Sequence, residues 1–425
     1  MKNIETNNLV LGAGVTGLSY INFLKDKNYI ILEKENTVGG YCRTNYKDGF
    51  VWDFAGHFFH FNNEKIKKFF LEKINKNELI YQKKNTKIYY KNKFIDYPFQ
   101  KNIHQLNKKE FIDCLYDLFN KAEKDNYKNF LEMLHGKFGK AITEKFLKPY
   151  NEKLYACSLK ELEVNSMGRF FPYANKEEII KNMKENKNTS YNDKFLYPKR
   201  GAYTFIETLL RNIDTEKILL NEEIQEINSK EKYVKTRTYI IKYKNLINTI
   251  PLLDFIKYEN INFYSKVKKY FKFNQVLVFN IGLNRKDYRK DIHWIYYSEN
   301  CYNFYRIGFY NNILKENKLS IYVEIGFKED KKIDVEKEFK KTINNLKDVG
   351  IINSEDQIVS YENIIMRPAY VHINKESNEY KKIYKEQLEE KDIYTIGRYG
   401  DWKYCSIEDS VLDAYNLNLK LKGRN

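Results

Sequence analysis

The spacing of apolar residues changes character several times along the chain. Leu9, Val10 and Leu11 form a short apolar run, a turn with three glycines and a helical stretch follow, and a second apolar run covers Tyr29–Leu32. That order, strand then turn then helix then strand, is the start of a nucleotide-binding βαβ unit. From about 102 to 184 apolar residues recur at helical intervals, as in FIDCLYDLFNKAEKDNYKNFLEMLHGKFGKAITEKFL, with few strand-like runs. This predicts an inserted helical region. Between 195 and 251 the first style returns: YPKRGAYTFIETLLRN reads as a helix, KILLNEEIQEINS and YKNLINTIP as strands. From about 263 to 361 aromatic and β-branched residues alternate, in QVLVFNIGL, IHWIYYS, YRIGFY and LSIYVEIGF, which predicts an antiparallel sheet. The tail, DIYTIGRYGDWKYCSIEDSVLDAYNLNLKL, reads as a strand, a glycine turn and a helix. The fold expected is α/β, with a discontinuous Rossmann-like domain at 1–95, 195–262 and 362–425. A mainly helical domain at 96–194 and an antiparallel β-sheet domain at 263–361 interrupt it.

Length supports that division, because 425 residues exceed one ordinary core. The net charge of +17 comes from 74 basic and 57 acidic residues, mostly lysines scattered without a dense block. That reads as a solvated lysine-rich surface, or as an electropositive cleft for a small anion, and no nucleic-acid partner is expected. The cysteines, 42, 114, 157, 301 and 405, are odd in number and lack a CxxC pair, which points to a reducing, cytoplasmic setting. No apolar run is long enough to predict secretion or a membrane span. Six histidines without metal spacing predict no metal.

The candidate chemistry begins at Asn7, in NNLVLGAGVTGLSYINFLKDKNYIILEKENTVGGYCRT. Gly12, Gly14 and Gly17 have the spacing of a tight turn, a close approach to a pyrophosphate and close helix–strand packing. The phosphates would then meet a helix N-terminus. Glu33, ending the second strand, stands where a carboxylate accepts the hydroxyls of an adenosine ribose lacking a 2′-phosphate. The turn alone is compatible with NAD, with FAD or with an ordinary glycine turn. Gly39, Gly40 and Arg43 extend it in a way that NAD domains lack, and this part resembles the GG-x-x-R/S-T signature of FAD enzymes of the amine oxidase, protoporphyrinogen oxidase and UDP-galactopyranose mutase group. FAD is therefore the expected cofactor.

A narrower resemblance lies in five further stretches: WDFAGHFFHF from Trp52, DYPFQKNI from Asp96, KPYNEKLYA from Lys148, IYYSENCYNFYR from Ile295 and IGRYGDWKYCSIEDS from Ile396. They resemble, in order, motifs of UDP-galactopyranose mutases, more like the eukaryotic branch. The resemblance implies an isomerase that interconverts pyranose and furanose forms of a UDP-sugar, supplying furanose donors for surface glycans. It also implies FAD that works when reduced by NAD(P)H or another reductant, its N5 attacking the anomeric carbon. The two inserted domains would then hold the substrate, the helical one as a lid.

Residue by residue, Arg306 and Arg398 match two arginines that grip the diphosphate. The chain has only eleven arginines, and their planar forks suit phosphate as lysine does not. The competing reading is a surface ion pair, or an arginine laid over tyrosines. Tyr296, Tyr370 and Tyr404 match phenols near phosphates and sugar, although tyrosine is frequent, 37 in all. Tyr97 would stack on uracil, Phe99 wall the pocket, and Gln100, with Asn151 as a second candidate, meet the polar edge of the base. Arg169 falls in a loop that closes over the nucleotide. Tyr155 stands where the eukaryotic branch has tryptophan, a departure that bears on lid packing. Gly56 and His57 match a histidine loop beside the flavin. Gly397 belongs to the C-terminal return that closes the flavin site. Ser406, Glu408 and Asp409 would either cap the last helix or meet the flavin.

Two other classes share part of these motifs: an FAD oxidase or dehydrogenase for an amine or a porphyrinogen-like substrate, and a binding protein retaining FAD as structure. Galactose, N-acetylgalactosamine, arabinopyranose and deoxyheptose are all open as the sugar, and a homo-oligomer is compatible with the sequence.

Overall fold

The computed structural model describes residues 1–185, 194–286, 289, 291–353 and 358–423. Residues 186–193, which fall in the expected helical domain, and 354–357, in the expected sheet domain, lie outside the described residues, as do 287, 288, 290, 424 and 425.

A seven-stranded sheet is built around two long neighbours. Lys2–Leu11 pairs in parallel with Tyr239–Asn248 over its whole length and with Tyr29–Leu32 on its other side. Ile218–Leu219 extends the sheet beyond Tyr29–Leu32. The far edge of Tyr239–Asn248 takes Ile393–Thr395 in parallel and Tyr233–Thr236 antiparallel, and Ile224–Asn228 pairs on the latter. The sheet thus draws on three separated parts of the chain, as the returning pattern at 195 and 362 predicts. The first strand begins earlier than its apolar triplet because its polar half stays exposed; the backbone ladder holds it there, and a ladder leaves no hydrophobic mark. The Val15–Phe23 helix packs beside the Ile407–Lys422 helix, where Asn418 Nδ2 donates to the Tyr20 carbonyl at 3.0 Å, and both share a core with this sheet.

The second sheet runs Ile358–Met366, Lys272–Leu283, Leu319–Lys328, Arg306–Phe309, Trp294–Tyr297, Thr86–Tyr90, Lys93–Asp96, with Val371–His372 on the start of Lys272–Leu283. It corrects the sequence reading in two ways. The hairpin at 86–96, counted with the nucleotide domain, belongs to this sheet. Its pairing with Trp294–Tyr297 is parallel, so the sheet is mixed rather than purely antiparallel. A parallel contact across two hundred residues has no local signature, whereas Trp294–Tyr297, Arg306–Phe309 and Leu319–Lys328 are antiparallel neighbours that follow one another in sequence.

The helices Lys108–Phe119, Phe130–Ile142, Lys148–Tyr155 and Lys176–Glu185 fall where helical spacing predicts them. One apolar core joins them to the second sheet: Phe99, Phe146, Tyr150 and Tyr155 pack with Trp294, Tyr296, Tyr305 and Tyr322. Among the described residues no helix is long and apolar enough to cross a membrane, and no group of three or more His, Cys, Asp or Glu could hold a metal ion.

Candidate functional site

The glycine turns make a cradle from backbone. Gly12 has φ +97°, and a Cβ there would lie 2.8 Å from Thr249 Oγ1, so glycine is required on both counts. Gly14 caps the Val15–Phe23 helix without any side-chain hydrogen bond, which leaves the first N–H groups for a ligand. Gly39 donates its N–H to the Ala13 carbonyl at 2.8 Å, and a Cβ on Gly40 would come within 3.5 Å of the Gly14 Cα, so the second glycine turn closes on the first. Arg43 braces it, Nε donating to the Gly40 carbonyl at 2.6 Å. Gly17 sits so close to the Gly12 carbonyl that a Cβ would overlap it. Glu33 is buried and accepts the N–H groups of Ala13 at 2.8 Å and Glu35 at 3.0 Å. A bare helix start, close glycine backbones and a carboxylate at the second strand end together fit a dinucleotide.

The C-terminal return meets this cradle through Gly397, which has φ +83° and lies against Thr16 where a Cβ would overlap. Its N–H donates to Asp413 Oδ2 at 3.1 Å. The acids at the start of the last helix are engaged within the protein. Glu408 accepts the N–H groups of Asn62 at 2.8 Å and Asn63 at 2.7 Å, and Asp409 forms a reciprocal capping box with Ser406. Within the chain these two side chains serve as loop fastening and as a helix cap.

Asp53, not singled out from sequence, fixes the loop that carries Gly56 and His57. It is fully buried and accepts from Thr44 Oγ1 at 2.6 Å, Tyr197 Oη at 2.7 Å and the Ala202 N–H at 3.0 Å. Burial pushes its carboxyl up to about 6 against those bonds. A Cβ on Gly56 would overlap the Tyr322 hydroxyl. His57 Nδ1 lies 3.2 Å from the Ala55 carbonyl; a carbonyl only accepts, so this nitrogen carries the hydrogen. Burial, helped by the charges of Arg398 and Arg306, lowers His57 to about 4, which keeps the ring neutral.

The charges of both arginines act on His57, and each arginine is already held by the protein. Arg306 grips Glu324 with its fork, Nε and Nη2 each 2.6 Å from a carboxylate oxygen. The pairing follows from register, since the two residues are cross-strand neighbours, and Glu324 is only 1% exposed. Arg398 donates to the Cys405 carbonyl at 2.8 Å and lies 4.7 Å from the ring centre of Tyr404 and 5.4 Å from that of Tyr370. An ion pair is present at Arg306 and tyrosine rings lie beside both arginines, Arg306 being 5.9 Å from the ring centre of Tyr322. Tyrosines continue the lining: Tyr370 stacks on Tyr404 at 5.8 Å, Tyr155 meets Tyr370 at 5.8 Å, and Tyr296 lies 5.1 Å from Tyr97 and 5.0 Å from Tyr150. Burial pushes the phenols of Tyr97, Tyr155, Tyr296 and Tyr370 upward, so they stay neutral hydrogen-bond donors at neutral pH.

Two amides border this lining with unspent acceptors. Gln100 donates through Nε2 to the Pro172 carbonyl and Asn151 through Nδ2 to the Leu147 carbonyl at 2.6 Å. Both side-chain oxygens are buried without a partner among the described residues, as is the hydroxyl of Tyr155. Such groups cost about 1–3 kcal/mol each when left unpaired. Phe99 is fully enclosed, 5.0 Å from Phe146 and 5.6 Å from Tyr90, and backs the lining instead of facing it. Arg169 pairs with Asp409 at 2.6 Å, and the neighbouring Phe170 meets Tyr404 edge-on at 5.1 Å, so the Gly168–Phe170 turn rests on the start of the last helix.

Residues 10–72 match the family model of the NAD(P)-binding Rossmann-like domain. The whole chain superposes on a crystal structure of reduced UDP-galactopyranose mutase with a TM-score of 0.92 and 21% identity, covering 99% of this chain and 94% of that one. A structure assigned to protoporphyrinogen oxidase from Exiguobacterium sp. 255-15 follows at 0.78 and 13%, with both chains fully covered. Putrescine oxidase bound to putrescine reaches 0.66 and 10%, again over both full chains. The fold is thus that of UDP-galactopyranose mutase, shared more loosely with flavin-type oxidases, and the discontinuous α/β arrangement read from sequence is borne out.

Proposed function

We propose that this chain is a flavin-dependent mutase that interconverts pyranose and furanose forms of a UDP-sugar. The observation that carries the reading is that the charges of Arg306 and Arg398 both act on His57, inside a wall of neutral phenols. Two cations with one buried carboxylate leave a positive site, which suits a leaving group that departs as a diphosphate and stays bound. FAD fits the glycine cradle, its pyrophosphate at the Val15–Phe23 N-terminus and its ribose at Glu33. When bound and reduced, FAD supplies a nucleophile for the anomeric carbon.

The chain's own residues do the rest. Arg306 and Arg398 bind the diphosphate and offset its charge as the glycosidic bond breaks, while Tyr296, Tyr370 and Tyr404 donate to its oxygens. The unspent oxygens of Gln100 and Asn151 accept the N–H of uracil, and Tyr97 stacks on its face. His57, neutral and with its hydrogen on Nδ1, offers Nε2 as an acceptor and releases no proton at neutral pH. Arg169 leaves Asp409 for the nucleotide when the Gly168–Phe170 turn closes.

The test is anaerobic turnover. Protein reduced with dithionite or NAD(P)H is incubated with UDP-galactose, UDP-N-acetylgalactosamine and UDP-arabinopyranose, and furanose products are followed by NMR. Many turnovers per reducing equivalent are expected, with the oxidised protein inactive. One product per reductant, or hydrogen peroxide in proportion to product, overturns the mutase in favour of an oxidase.

A further inference from the structure

Lys153 has an unusual environment for a lysine. It sits on the Lys148–Tyr155 helix, between Asn151 and Tyr155, and its ammonium reaches four main-chain carbonyls. Nζ donates to Tyr297 at 3.3 Å, Glu299 at 2.9 Å, Tyr302 at 3.1 Å and Phe304 at 2.6 Å. All four carbonyls belong to the segment joining Trp294–Tyr297 to Arg306–Phe309. That segment closes on itself through the Tyr297 N–H and the Tyr305 carbonyl at 2.9 Å, and it is flanked immediately by Tyr296 and Arg306.

The helix is pinned to the sheet beside this cradle. Asn274 Nδ2 donates to the Leu154 carbonyl at 2.6 Å, and the Lys153 carbonyl lies so close to Gly326 that a Cβ there would overlap it. Across the same seam Tyr150 meets Tyr296 at 5.0 Å and Tyr305 at 6.4 Å. The ammonium therefore fastens together two pieces of backbone that each carry half of the proposed UDP site: Asn151 and Tyr155 on the helix, Tyr296 and Arg306 on the strands.

We propose that Lys153 is a positioning residue that sets the spacing between the base-binding and diphosphate-binding halves of the site, and so controls affinity for the UDP moiety. The proposal rests on the mutase reading. Three N–H donors shared among four carbonyls hold the segment in the ammonium form; the neutral amine has two and no charge to attract carbonyl dipoles. Tyr297, Glu299, Cys301 and Tyr302 of the segment and Lys341 of the Val335–Asp348 helix are the titratable groups around it. Burial is the main influence and brings Lys153 down to about 7; Cys301 and Glu299 oppose it and Lys341 adds to it. The lysine therefore loses its charge within the neutral range, and the fastening should loosen as pH rises.

The experiment titrates UDP against the flavin fluorescence of the holoenzyme from pH 6 to 8.5 for the unmodified protein, Lys153→Met and Lys153→Arg, with KM and kcat for a UDP-sugar alongside. Lys153→Met is expected to keep its FAD, to bind UDP roughly tenfold more weakly and to raise KM more than it lowers kcat. Lys153→Arg, charged throughout, should restore part of the affinity and flatten the decline of affinity with pH seen in the unmodified protein. Unchanged affinity in Lys153→Met overturns the proposal, as does a pH profile that Lys153→Arg leaves intact. If Lys153→Met does not fold, the profiles of the other two proteins decide. Failure of the unmodified holoenzyme to bind UDP overturns the mutase reading, and this inference with it.

Discussion

The glycine cradle and the arginine cleft lie side by side but are built in opposite ways. The cradle is backbone: close turns at Gly12–Gly17 and Gly39–Gly40 and a helix start left bare. Its residues fall within one short stretch of sequence. The cleft is side chain, assembled from many distant segments, and its arginines are each held by a partner inside the protein. A cradle of that kind waits for its ligand with donors exposed. A cleft of this kind is preorganised, so a ligand meets charges that are already oriented and loses less entropy on binding them.

Seven substitutions would break or sharpen that contrast. Removing Arg306 or Arg398 as alanine should cost roughly tenfold to over a hundredfold in kcat/KM, from the about 1.5–3 kcal/mol of a charge-assisted hydrogen bond, with FAD content intact. Arg306→Lys should also lose activity, because one ammonium cannot serve both Glu324 and a phosphate as the fork does. A fully active Arg306→Lys would show that the diphosphate is held elsewhere.

Glu324→Gln leaves the half-buried Arg306 beside a neutral group. Breaking a fully buried pair costs about 3–5 kcal/mol and this partly exposed one less, and urea unfolding should show the loss. Saturating UDP should recover more of it than it adds to the unmodified protein, because the diphosphate supplies the missing charge. Equal stabilisation of both proteins by UDP would separate Glu324 from the ligand site.

For the cradle, Gly12→Ala forces a side chain into φ +97° and toward Thr249, a strain of about 1–3 kcal/mol. The expected result is protein depleted of FAD by absorbance, whereas the arginine variants remain yellow. Retention of full FAD content would mean that the turn relaxes without disturbing its ligand. The smallest effects belong to the base: Tyr97→Ala and Gln100→Ala should each weaken UDP binding about threefold to tenfold without changing FAD content.

Legibility in the sequence follows the same divide. The cradle could be read from Gly12 to Arg43 because its chemistry depends on spacing within one βαβ unit. Helical spacing at 102–184 and the aromatic and β-branched runs at 263–361 also gave their elements, although Lys272–Leu283 and Trp294–Tyr297 are buried on both faces. The hairpin at 86–96 was misassigned because a parallel partner at Trp294–Tyr297 leaves no trace nearby. Cleft residues such as Gln100 and Arg398 stood out only through resemblance to a family. Glu324 and Asp53 were missed, yet each left a signal: a lone acid inside an otherwise apolar strand, in LSIYVEIGF and FVWDF. A buried acid requires partners, and its presence in such a run is a reason to look for them. Lys153 had no comparable mark, since a lysine on a helix reads as surface until its four carbonyls are seen. Ser406 and Asp409 have the three-residue spacing of a capping box, which is the role they fill.

The pairing of Lys2–Leu11 with Tyr239–Asn248 also sets a timetable for synthesis. The first strand leaves the ribosome long before its long parallel neighbour, whose matching residue to Lys2 is Tyr239. At about 5–20 residues per second this interval is on the order of tens of seconds. During it Tyr29–Leu32 can cover one edge of the nascent strand, while the other edge stays open. Closure of the sheet waits longer still, for Ile393–Thr395 to dock on Tyr239–Asn248. In the proposed reading, cofactor capture therefore waits for Ile393–Thr395, although the glycines assigned to it are made long before that strand.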